Sequence, residues 1–166
     1  TRAQLHIDDA IRDWTDEQWP WLVEKLEMGD LAEHAIIEPT DEWFPDAWGP
    51  NREAVQNLFE RVVEYAEVNP ERVTLELIEP QEEMPPALVK KDDKIILPLE
   101  VSELQSPAVA VAILSRKLAL MRLMDAGLDM SRDDLPPLMD LACGGMGLGF
   151  FNSNAALPPS RLGCGT

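Results

Sequence analysis

The stretch AILSRKLALMRL, Ala112 to Leu123, decides how this chain is read. Its apolar residues recur as they would on a helix buried on most sides. Yet Arg116 and Lys117 stand together in its middle. A charge in an apolar setting is costly unless it is paired. Ser106 precedes the stretch as an N-cap, Pro107 suits the first turn, and Gly127 closes it, so one long helix is expected between them.

On the N-terminal side, KIILPL (Lys94–Leu99) predicts a strand. Its Pro98 points to an edge position or to the strand's end. Pro80 to Pro86 forms an acidic, proline-rich connector, and Arg72 to Ile78 alternates as a half-buried strand does. Val73, Leu75 and Leu77 face one way there, Thr74 and Glu76 the other. The two strands are expected as neighbours or as a hairpin. Before them, Asn51 caps a helix whose stripe is Val55, Leu58, Phe59, Val62 and Ala66, ended by Asn69-Pro70.

The loop PTDEWFPDAWGP, Pro39 to Pro50, packs three prolines and three aromatics into twelve residues, which suggests a fixed segment that packs its rings. Ile7 to Met28 reads as one or two helical pieces broken around Pro20, with a stop at Gly29-Asp30. On the C-terminal side, LPPLMDLACGGMGLGFF reads as a last helix. Its glycines at 144, 145, 147 and 149 either allow close packing or mark where the helix gives way. The order of elements is that of an α+β domain with a small sheet.

The chain has 166 residues, 45% hydrophobic, enough for one domain with a real core. Its net charge is −17, from 31 acidic and 14 basic residues. That opposes binding to nucleic acid or to an anionic membrane. It suits a solvated acidic surface or a basic protein partner. The most apolar region, Ala108 to Met124, is interrupted by Arg116, Lys117 and Arg122 and falls short of a membrane span. Cys143 and Cys164 make no disulfide framework, and the first residues carry no apolar leader segment. Both cysteines are expected reduced and the compartment cytoplasmic.

Catalytic patterns are sparse. His6 and His34 have no metal-ligand partner at helical spacing. Cys143 lies in an apolar, glycine-rich segment with no histidine near it in sequence, and reads as a small core residue. Gly145, Gly147 and Gly149 do not follow a strand, so they form no nucleotide loop. Asp129, Asp133, Asp134 and Asp140 lack the spacing of a calcium loop and read as solvated or capping residues.

Several pieces together resemble an uncharacterised bacterial family with zincin-like metallopeptidase features. They are Trp43-Phe44-Pro45-Asp46, Asn69-Pro70-Glu71-Arg72-Val73, the strand KIILPL with its following helix, Asp140-Leu141, and Gly147-Leu-Gly-Phe-Phe-Asn-Ser-Asn154. The resemblance spans roughly 39–157. It implies a zincin-like α+β domain over 39–157; outside it, the residues themselves read as a helical extension over 1–38 and a flexible tail over 158–166. In relatives the long helix carries HELGH or HELAH. Here Arg116 falls at the first His, Lys117 at the Glu and Leu120 at the second His, while Asp140 keeps an acidic residue near the relatives' downstream segment. Arginine stays protonated and leucine has no lone pair, so neither ligates zinc.

The resemblance therefore implies a pseudoenzyme: no metal, no cofactor and no catalytic residue, with Arg116, Lys117, Leu120 and Asp140 as a vestigial site. Arg116 would then take the metal's place as a buried partner of Asp140, or else Arg116 and Lys117 both reach solvent along their aliphatic stems, and the function is expected to be protein binding. Trp43, Phe44 and Trp48 are the first candidates for contact. Two other readings stand beside it. One is an enzyme of different chemistry, with Arg116 and Lys117 holding an anionic substrate beside Asp140 or Cys143. The other is a structural accessory of a larger assembly.

Overall fold

The Asn51 side chain accepts a hydrogen bond from the Ala54 N–H at 2.9 Å and opens helix α2, Arg52–Tyr65. The computed structural model describes residues 9–28 and 35–151. The other elements are α1 (Asp9–Lys25), β1 (Val73–Ile78), β2 (Val89–Lys91), β3 (Lys94–Glu100), α3 (Pro107–Asp125) and α4 (Leu135–Gly145). The fold is α+β.

The three strands form one mixed sheet in the order β1-β3-β2. β3 runs parallel to β1, from Val73 opposite Ile95 to Ile78 opposite Glu100. It runs antiparallel to β2, from Val89 opposite Ile96 to Lys91 opposite Lys94. Asp92, at φ 54, makes the tight turn between β2 and β3. The connector after β1 therefore crosses the C-terminal end of β3 to reach the far edge. β3, with its Pro98, is the central strand, which corrects the expected edge position. Proline is tolerated there because β2 is three residues long and its pairing stops at Ile96. No ladder bond is demanded of residue 98 on that side. β2 itself escaped the sequence reading, since all three of its residues are exposed and no alternation marks it.

The helices cover one face of the sheet. Val73, Leu97 and Leu99 are buried on that face, while Thr74 and Glu76 are exposed on the other. Helix α3 runs through the core, with Leu114, Leu118, Met121 and Leu123 at 1% exposure or less, and α2 and α4 pack beside it. Ser106 accepts from the Val109 N–H at 3.2 Å and Pro107 fills the first turn, as expected. α1 packs on α4, and its Leu22 joins Leu26 and Met28 in the same core cluster. Pro20 does not break α1, contrary to expectation. It lies on the exposed side, where water can satisfy the carbonyl that its missing N–H leaves open. The expected stop at Gly29-Asp30, both histidines, Cys164 and the expected tail lie outside the described residues.

All four long helices end in the same way. A left-handed residue follows the cap, and the next N–H bonds back to a carbonyl five residues earlier. Those N–H groups belong to Met28, Val68, Leu128 and Leu148, each turned onto the core. Gly127 and Gly147 take the left-handed position at φ 80 and 81. In α1 and α2 the position is held by Glu27 and Glu67, at φ 50 and 56, at a cost of about 1 kcal/mol each. Among the described residues, no helix is long and apolar enough to cross a membrane.

Candidate functional site

Arg116 and Lys117 leave α3 in different directions, because successive helical residues are about 100° apart. Arg116 reaches α4 and pairs through Nη1 with the Asp140 carboxylate. The pairing joins the two residues singled out from the sequence. Its setting decides between the two readings: the side chains are 36% and 48% exposed, so this is a surface ion pair and not a buried one. Such pairs contribute about 0–1 kcal/mol. No buried carboxylate needs a substitute for a metal here. Asp140 lies on the outer side of α4, opposite buried Leu138, Ala142 and Cys143.

Lys117 goes to the sheet. Its Nζ donates to the Pro98 carbonyl at 2.6 Å and to the Ala87 carbonyl at 3.3 Å. Extending the β2–β3 register by two residues would set Ala87 opposite Pro98. At that pair proline has no N–H to give. The ammonium supplies the donor and closes the ladder beyond β2. Burial pushes the Lys117 pKa below its usual value, opposed by Glu103 and then Glu100. Leu120 is half-buried. The two cations therefore do not converge on one ligand. Among the described residues no cluster of three His, Cys, Asp or Glu is close enough to hold a metal.

A further basic residue of α3 was not singled out from the sequence as a structural one. Arg122, one turn on from Leu118, donates to the carbonyls of Leu26 and Ala66, the latter at 3.2 Å. These are the cap residues of α1 and α2, where carbonyls are otherwise left open. One guanidinium thus caps two helices at equivalent positions, next to their negative dipole ends. Burial lowers its pKa, while Glu67 and Glu27 oppose the shift. The two left-handed glutamates therefore flank the cation they help to hold. Sequence gave only a cation near the end of an apolar helix.

The aromatic loop is largely committed to packing, as its prolines suggested. Tyr65 stacks edge-on against Trp43 and Phe44, with ring centroids 5.5 and 5.7 Å apart, and its hydroxyl donates to the Trp43 carbonyl. Phe44 meets Phe151 at 5.6 Å. Asp46 is held by Arg61, which lowers its pKa. Behind the loop an open cleft of about 480 Å³ remains. Phe44, Trp48, Leu58, Val111 and Phe151 line it, Ala108 at the start of α3 forms one wall, and Asp41 and Asp46 stand on its rim. Phe44 and Trp48 thus keep a face toward a cleft. Trp43 does not line it.

The remaining acids act locally. Asp129 accepts from the N–H and hydroxyl of Ser131, at 3.0 and 2.7 Å. Asp134 binds Arg132 and accepts from Trp14 Nε1 at 2.9 Å, fastening α1 to the start of α4. Arg132 above all, then Trp14, draws its pKa down to about 2. Cys143 is buried in the core. The glycines do both things expected of them. A Cβ on Gly145 would strike Met28 at 2.3 Å, so it allows close packing of α4 on the end of α1, while Gly147 ends the helix. No known family model, curated protein or solved structure matches the chain.

Proposed function

We propose that this chain works by binding another protein, as a zincin-like domain that has lost the chemistry of its central helix. What supports this reading most is the contrast between two regions. At the positions where the relatives' helix presents its first ligand and its base, Arg116 pairs with Asp140 on the surface and Lys117 bonds to the sheet. The open apolar cleft lies instead at the N-terminal end of α3, beside Phe44 and Trp48. Asp41 in its lining and the overall charge of −17 favour a partner that offers an apolar side chain flanked by Lys or Arg.

The test is a photo-crosslinking residue at Ala108, followed by reconstitution with whichever purified protein it captures. Binding that falls at least about tenfold with Asp41→Lys in the cleft rim, while melting is unchanged, supports the reading. Reconstituted binding that ignores the substitution overturns the cleft. Metal content and melts with added zinc or chelator test the other half. Stoichiometric metal with a clear rise in Tm would overturn the loss of metal chemistry.

A further inference from the structure

Among the described residues β1 is an edge strand, and two of the usual guards are absent from it. It has no proline and no lysine, and both strands that carry lysine lie further into or across the sheet. Beside this edge, between β1 and α2, runs a groove of about 660 Å³. Phe59, Val63, Val68 and Leu75 give it an apolar floor. Glu60 and Glu64, one residue on from Phe59 and Val63 along α2, form its rim. On the far face of β1, Glu76 is exposed. Among the described residues, no ion pair engages Glu60, Glu64 or Glu76.

We propose that this edge is a docking site for an extended, basic segment of a partner protein, which adds to β1 as a fourth strand. Backbone hydrogen bonds would come from the unpaired side of β1. A strand alternates its side chains, so one set would enter the groove over Phe59 and Leu75 and the other would lie beside Thr74 and Glu76. The groove asks for apolar residues. The rim and the far face ask for Lys or Arg. A second copy of this chain is a poor occupant, because it would bring another charge of −17 and set β1 carboxylates against each other. This surface is separate from the aromatic cleft and does not depend on it.

The probe is a capped heptapeptide of alternating lysine and valine, titrated into the ¹⁵N-labelled full chain. A matched peptide of alternating glutamate and valine is the control. Amide shifts confined to 73–77 and the facing side of α2, weakened by salt, are expected with the basic peptide alone. The double substitution Glu60→Lys and Glu64→Lys should weaken binding at least about tenfold without moving the melt. Shifts that map to Phe44 and Trp48, or no shifts at all, would overturn the proposal. So would β1 edge amides already protected from exchange in the peptide-free monomer, because the chain would then cover its own edge. Concentration-dependent protection of that edge would assign it to a second copy, and overturn it equally.

Discussion

Lys117 completes the hydrogen bonding of Pro98: its ammonium donates to the proline's carbonyl at 2.6 Å, at the register position where proline has no N–H to offer Ala87. A cation that looked like the remnant of a catalytic pattern is thus a fixture of the sheet. It lets a proline occupy a central strand, and it ties the long helix to the strand that precedes it.

Lys117→Met should therefore destabilise the protein by about 1–2 kcal/mol. Two carbonyls lose a charged donor, partly offset by relief of the desolvated ammonium. Hydrogen exchange should quicken first in β2 and at the C-terminal end of β3. Uniform loss of protection across the domain would show that Lys117 has no such local role.

Arg116 and Arg122 lie six residues apart on one helix and should behave very differently. Arg122→Met leaves two helix-cap carbonyls without a donor and two glutamates without their cation, and is expected to cost about 2–3 kcal/mol in denaturant unfolding. Arg116→Met should cost under about 1 kcal/mol, and a double-mutant cycle with Asp140→Asn should give a coupling below about 1 kcal/mol. A larger coupling would mean that the pair is shielded from water in solution.

Asp134 gives a pH dependence with a definite sign. Its carboxyl titrates near 2 in the fold and near 3.8 when unfolded, so the stability it contributes is complete above about pH 4. That contribution is lost as the pH falls from about 4 toward 2. Its side chain is 29% exposed, so solvent reduces the effect to about 1 kcal/mol. Asp134→Asn should flatten that acid limb of the stability curve. An unchanged limb would assign acid sensitivity to other carboxylates.

Two glycines of the last segment separate packing from backbone demands. Gly147 sits at φ 81, and a Cβ there would lie 2.3 Å from the Ala35 carbonyl oxygen. Gly147→Ala should cost about 2 kcal/mol or more. Gly144 has open space around it, so Gly144→Ala should be neutral or stabilise by up to about 1 kcal/mol. Thermal melts of the two variants test the contrast directly.

These residues also show what sequence could and could not reveal. Helices α2 and α3 were legible because their caps are side chains, Asn51 and Ser106, and because their apolar stripes are long. β1 was legible because Val73, Leu75 and Leu77 alternate with Thr74 and Glu76. β2 was not, because an exposed three-residue strand has no pattern apart from its turn. Pro20 and Pro98 misled for one reason: proline forbids a hydrogen bond, but whether anything asks for that bond depends on neighbours distant in sequence. The pairing of Arg116 with Asp140 followed from the resemblance, which sets both residues at one site. Its exposure did not, because that depends on how α4 is rotated against α3. Arg122 was invisible as a cap because its acceptors lie 96 and 56 residues away.

That separation bears on how the chain assembles. Helix α1 precedes every other described element along the chain, yet three of its fastenings come late: Arg122 at its C-terminal end, Asp134 beside Trp14, and Gly145 under Met28. Closing so long a loop is slow relative to local helix formation. On a ribosome, the α4 surface that α1 packs on emerges only in the last quarter of the described chain. Helix α1 spends that interval with three tryptophans uncovered. Its own acids, Asp9, Asp13, Asp16, Glu17 and Glu24, would keep such an unplaced helix in water until its seat is built.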